Sequence, residues 1–189
     1  MYLEILRTEG ERAWNRYRMR VIPGFELSKN YVANDRSAHI VALGTRQFIH
    51  ADADPVDLCR AIRAQGGLAI AAHPVATRKI EKQTYHLWNR RFELQREFDA
   101  WEVASGPYLF SEVWRSGLPM IASSDLHVAK QINAWKTVLS CERSEEAILE
   151  AIREQKVEFK FYADSPAIPA LVGHDGDPDL GHLAGPEAI

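Results

Sequence analysis

"LAIAAHP", residues 68–74, decides how the fold is read. Its small apolar residues run on without the in-and-out alternation of a half-buried strand. Such a run suits a strand covered on both faces, as in a parallel sheet flanked by helices. A helix signal stands just upstream. Asp54 can cap it, Pro55 suits its first position, Leu58, Cys59 and Ile62 form its buried face, and Gly66-Gly67 ends it. Downstream the rhythm repeats. Residues 80–97 carry a charged helical pattern, "FDAWEVAS" (98–105) is a strand, and "YLFSEVWRSG" (108–117) is a helix. "LPMIASSD" (118–125) and "WKTVLSC" (135–141) are strands, "SEEAILEAIREQ" (144–155) is a helix capped by Ser144, and "VEFKFY" (157–162) is the last strand. Strands alternating with helices imply β-α-β units, and so an α/β sheet or barrel of mainly parallel strands with outer helices. In such folds chemistry collects where strands end.

Upstream, Leu3, Leu6, Ala13, Trp14 and Tyr17 recur at helical spacing. "RMRVIPGFEL" (18–27) is an apolar stretch kinked at Pro23-Gly24. Phe25–Tyr31 and Ala38–Leu43 read as a hairpin around Asn34-Asp35-Arg36. From Ala163 to the end the chain is rich in Pro, Gly and Asp, which predicts a loosely held tail (163–189) after one domain (1–162).

Composition bounds the partners. With 46% hydrophobic and 26% charged residues, the 189-residue chain reads as one soluble globular domain. A net charge of -3 gives no global basic field for nucleic acid or an anionic membrane. No apolar run reaches the roughly 18 residues of a spanning helix, and no basic leader precedes an apolar stretch. Cys59 and Cys141 stand in no paired motif, so both read as reduced thiols in a cytoplasmic protein.

Five potential metal ligands fall where strands begin or end: Glu26, His39, His73, Asp125 and His127. Each alone is an ordinary surface acid or core histidine. Together, at the mouth of a buried sheet, they would be costly unless paired or metal-bound. In extended chain Asp125 and His127, two apart, point to one side. Three imidazoles and two carboxylates suit Zn²⁺, Mn²⁺ or Fe²⁺. Other signals fail. "HDGDPDLGH" (174–182) places Leu180 and Pro186 where a calcium loop needs Gly and Glu. There is no glycine-rich phosphate loop and no nucleophile-elbow serine.

"VIPGFELS", "HIVALG", "GGLAIAAHP" and "GLPMIASSDLH" resemble, in order and interval, successive motifs of the polymerase-and-histidinol-phosphatase (PHP) superfamily of metal-dependent phosphoesterases. The resemblance runs from about Arg20 to Tyr162, and "FDAWEVAS" is similar to the family strand that carries an acid mid-domain. It implies a distorted β/α barrel with one to three divalent metals at the strand ends. It also implies hydrolysis of a small phosphorylated substrate by a metal-activated water. By motif, Glu26 is implied to bridge two metals, His39 and His73 to complete one, Asp125 to bind its neighbour, and His127 to bind a third. Glu26 and Asp125 are the implied catalytic carboxylates. The cations nearest the motifs, Arg78, Lys79 and Lys130, are candidates to hold substrate phosphate. The chain departs from the family pattern before Glu26: the His-x-His motif of the first strand, the Asp or His shortly after it and the His that follows the second strand are all missing. The expectation is an incomplete barrel, either N-terminally shortened or with its open sheet edge covered by a partner, an oligomer or the N-terminal helix. The alternative function is a PHP-like module that binds metal or a phosphorylated ligand without turnover.

Overall fold

The computed structural model describes residues 2–31, 36–75 and 85–162. The N-terminal helix α1 (Tyr2–Tyr17) has no fully buried residue, and its Tyr2 hydroxyl donates to the Gly24 carbonyl at 3.0 Å. Gly24 opens the sheet. A Cβ there would stand 2.7 Å from the Ala42 carbonyl oxygen, closer than real Cβ atoms come. The hairpin partners form as the sequence predicts: β1 (Gly24–Lys29) lies antiparallel to β2 (Ala38–Leu43), with Ser28 opposite His39. Most of the turn, residues 32–35, lies outside the described residues. In β2, Ala38, Ile40 and Ala42 face the core while His39 and Val41 face the other way.

Helix α2 (Pro55–Arg63) begins where expected, with the Asp54 side chain accepting from the Val56 N–H. The strand β3 (Leu68–Ala71) is buried at all four residues, as its uniform apolarity implies. Its pairing with β2 is antiparallel, however, with Leu43 opposite Leu68. The reason lies in the connection. Residues 44–54 already carry the chain back along the sheet, where Lys29 Nζ donates to the Asp52 carbonyl at 2.9 Å. Helix α2 then returns to the end where β2 finished.

Helices α3 (Tyr85–Asn89) and α4 (Arg91–Leu94) replace the single long helix read from residues 80–97. Between them Arg90 turns its guanidinium to Asp54 and Glu93, pinning this segment to the start of α2. The chain continues through β4 (Ala100–Ser105), β5 (Tyr108–Leu109), α5 (Ser111–Trp114) and β6 (Met120–Ser123). The expected helix at 108–117 thus starts as a strand: Gly106, at φ 55°, reverses the chain so that Tyr108 pairs with Ser105. A 3₁₀ turn (Ala129–Ile132) follows β6, then β7 (Trp135–Leu139), α6 (Glu145–Arg153), N-capped by Ser144, and β8 (Val157–Phe161).

The fold is mixed α/β. The expectation of mainly parallel strands is corrected: among the described residues only β3–β4 and β4–β6 pair in parallel. β1–β2, β2–β3, β4–β5 and β7–β8 are antiparallel. Nor do the described strands close a barrel; they form a six-stranded sheet and a separate β7–β8 ribbon. The ribbon meets the β6 edge through side chains. Thr137 Oγ1 donates to the Ala122 carbonyl and accepts from its N–H, both at 2.8 Å, and Gln155 Oε1 accepts from the Met120 N–H. These bonds satisfy an edge that strand pairing would otherwise have to cover.

The sheet buries both faces. Leu58, Ile62, Leu87, Leu94 and Trp101 fill the side of α2, α3 and α4. Leu68, Ile70 and Ala100 pack with Leu149 and Ile152 of α6 on the other. Each buried leucine or isoleucine among them contributes about 1.5–3 kcal/mol by leaving water. Among the described residues no helix is long and apolar enough to cross a membrane.

Candidate metal centre

The antiparallel pairing of β2 with β3 is what assembles the site. It sets the start of β2, with His39, beside the end of β3, with His73; the Ala72 N–H donates to the His39 carbonyl at 3.1 Å. Glu26 reaches the same point from β1. One donor atom from each of Glu26, His39 and His73 lies within 4.8 Å of the other two. Glu26 Oε1 is 2.8 Å from His39 Nδ1 and 3.8 Å from His73 Nε2. The two rings stand edge to face with centroids 4.9 Å apart.

The His39 ring is oriented from its far side. Its Nε2 lies 3.0 Å from Asn30 Oδ1, an oxygen that can only accept, so a proton on Nε2 would donate outward and leave Nδ1 facing Glu26. A histidine ligand typically shows this arrangement, one nitrogen donating outward and the other turned to the metal. Nδ1 is buried, and its close approach to Glu26 lacks hydrogen-bond geometry. A ring nitrogen and a carboxylate oxygen 2.8 Å apart are joined either by a shared proton or by a cation between them. Ligands roughly 2.0–2.2 Å from one metal ion sit about 3 Å apart, so the residues fit a divalent cation.

Electrostatics favour the ligating forms of Glu26 and His73. The His39 imidazole holds the Glu26 carboxyl below its usual range, against the opposing effect of partial burial. Burial, then His39, pushes the His73 imidazole down, while Asp125 and Glu26 pull the other way. His73 is 7% exposed at its side chain and neutral at pH 7.

Asp125 follows β6 into the same neighbourhood, near enough to act on His73, but it is not one of the three converging residues. Its side chain is 17% exposed and that of His127 is 71% exposed. His127 Nδ1 stands 3.6 Å from Asp125 Oδ1, but the chain there is not extended, since Asp125 lies at φ 46°. Of the phosphate-holding candidates, Arg78 and Lys79 lie outside the described residues, and Lys130 sits in the 3₁₀ turn after His127.

One residue was not singled out from sequence. Glu102, in the middle of β4, is 5% exposed and accepts from the His73 N–H at 2.7 Å and from Ser123 Oγ at 2.6 Å. Burial pushes its carboxyl up to about 7 against those two bonds. The available signal was an acid inside an otherwise apolar strand, "AWEVAS", where an unpartnered charge would be untenable. Two site residues also hold left-handed backbone without being glycine, His73 at φ 30° and Asp125 at φ 46°. Each costs of order 1–3 kcal/mol.

Residues 114–157, which span β6, Asp125, His127, β7 and α6, match the PHP-associated family model. In fold the chain is similar to a two-domain protein from Bacteroides vulgatus ATCC 8482, described as containing a predicted PHP-like metal-dependent phosphoesterase. The match has a TM-score of 0.60 and 20% sequence identity over 84% of this chain. The chain spans 48% of that solved protein's length. No curated protein matches it. The family match falls on the β6 half of the sheet, while the three converging residues come from the β1–β3 half.

Proposed function

We propose that this chain is a metal-dependent phosphoesterase of the PHP superfamily, and that the site at Glu26, His39 and His73 binds its divalent cation. The carrying observation is the 2.8 Å approach of the buried His39 Nδ1 to Glu26 Oε1, with His73 Nε2 beside them. The N₂O donor set suits Zn²⁺, Mn²⁺ or Fe²⁺. Such an ion would supply a water activated towards a pKa of about 7 and a Lewis acid for a phosphoryl oxygen. Glu26 would orient that water and accept its hydrogen bond. Asp125 is the second catalytic carboxylate, and Asp125 and His127 are the ligands for a neighbouring ion. Lys130, with Arg78 and Lys79, is read as the holder of substrate phosphate.

An open groove of about 410 Å³ runs up to Glu26, floored by Phe25, Val41 and Leu43 and walled by Tyr2 and Leu6 of α1. It gives the organic part of a small phosphate ester an apolar place beside the acid. The open sheet is the remaining part of a distorted PHP barrel in this reading, supported by the parallel β3–β4–β6 core. A reducing, cytoplasmic setting accords with the two free cysteines.

A second reading, a module that binds metal or a phosphorylated ligand without turnover, is favoured by one fact: three ligands, not five, converge among the described residues. Turnover separates the two. The phosphoesterase should hydrolyse an aryl phosphate with added Mn²⁺ or Zn²⁺ and lose that activity in Glu26→Gln. Metal bound tightly with no turnover of any phosphate ester supports the module, and no metal bound at all defeats both.

A further inference from the structure

We propose that Glu102 is a positioning residue for the metal ligands: its carboxylate fastens the ends of β3 and β6 to β4, and so holds His73 and Asp125 at the site. The inference rests on the metal centre proposed above and adds a residue that acts through the ligands without touching the ion.

The geometry is that of a clamp. Glu102 stands on the middle one of three parallel neighbours, β3, β4 and β6. Its Oε2 accepts from the His73 backbone N–H at 2.7 Å. Its Oε1 accepts from Ser123 Oγ at 2.6 Å, and Ser123 Oγ lies 3.4 Å from the Asp125 N–H, which donates to it. One side chain thus reaches both adjoining strands at the residues where each turns into a site loop.

The backbone ladder does not do this. The β3–β4 register ends at Ala71 opposite Trp101, two residues before His73. The β4–β6 register slips between Glu102 and Ala104. At both places the backbone then enters the left-handed region, at His73 and at Asp125. Such conformations persist only where the surroundings over-determine them. Simple packing would be served better by Val or Leu at position 102, without the desolvation that a buried carboxylate suffers. A carboxylate is required because two donors approach from two different strands and both need an acceptor.

Glutamine keeps the size of Glu102 but turns an amide NH₂ towards one of those donors. The test uses the full chain stripped of metal by a chelator, titrated with Co²⁺ and followed by its visible absorption. Amide hydrogen exchange is measured on the same metal-free samples. Glu102→Gln should bind Co²⁺ about 10–100-fold more weakly, the range usual for loss of an outer partner. Its exchange should quicken at His73 and Asp125 while α2 stays as protected as in the unaltered chain. Ser123→Ala, which cuts only the β6 arm, should quicken Asp125 and not His73, and it serves if the first variant does not fold. Co²⁺ affinity within twofold of the unaltered chain, or exchange that quickens evenly through the sheet, overturns the proposal. Should the unaltered chain bind no Co²⁺, the metal centre fails, and exchange alone decides the clamp: local quickening supports it and its absence refutes it.

Discussion

The two halves of the site are built differently. Glu26, His39 and His73 stand on or directly after three hydrogen-bonded neighbours whose register fixes them. Asp125 and His127 stand on a loop that begins where β6 ends. In the first half the His39 ring is aligned by Asn30 and the His73 backbone is held by Glu102. In the second, Gln131 Oε1 accepts from the N–H groups of both His127 and Val128, and the loop turns Leu126, Val128 and Ile132 outward. Ligands borne on strands are placed by the sheet itself. Ligands borne on a loop are placed by side chains that tie the loop down.

The largest expected difference is in metal affinity. His39→Ala should weaken metal binding by more than the roughly 10–100-fold that outer partners cost, whereas His127→Ala should stay below tenfold. Calorimetric titration with Zn²⁺ measures both, and equal losses would erase the distinction between the halves.

Stability should divide the same way. Ile70 is 4% exposed beneath the strand half and Leu126 is 57% exposed on the loop half. Ile70→Ala should cost about 2–5 kcal/mol in denaturant unfolding. Leu126→Ala should stay within about 0.5 kcal/mol. A large loss at Leu126 would mean that the loop is packed against something.

A smaller effect comes from the cap that starts α2. Asp54→Ala should cost about 1 kcal/mol by removing the acceptor of the Val56 N–H. The Arg90 guanidinium holds the Asp54 carboxyl below its ordinary 3.8. The folded value being the lower one, that ionic part of the stabilisation is present above pH 3.8 and is lost as pH falls through the depressed value. Unfolding curves of the two chains should therefore converge in acid; a gap that widens there would reverse the assignment.

The slightest perturbation is thiol labelling. Cys59 is buried in α2 under the strand half, and burial pushes its thiol up to about 12. Cys141 is half-buried after β7, on the loop side. A thiol reagent should modify Cys141 in the folded chain and reach Cys59 only on unfolding. Prompt labelling of Cys59 would show the strand half to be the more open one.

Much of this was written in local sequence. The Asp54-Pro55 helix start, the hairpin partners and the unbroken burial of "LAIA" follow from capping, alternation and uniform apolarity. The direction of β3 does not, because it depends on residues 44–54 making the return passage, and no periodic pattern marks a loop that runs the length of a sheet. The same long-range fact puts His39 and His73 together. Residue type and placement at strand ends hint at their meeting, but spacing along the chain does not dictate it. Barrel closure was equally out of reach. Thr137 and Gln155 reading as ordinary polar residues conceals that they satisfy the edge of β6. Glu102 was legible in principle, as an acid in a buried strand, but its two partners lie 29 and 21 residues away.

The central claim is that Glu26, His39 and His73 share one metal ion. Crystals of the full chain soaked in Zn²⁺, measured at the zinc absorption edge, test it most directly. The account predicts an anomalous peak at bonding distance, about 2.0–2.2 Å, from Glu26 and from one nitrogen of each histidine, on Nδ1 in the case of His39. A peak that touches none of the three, or no peak at all in zinc-saturated crystals, would contradict it.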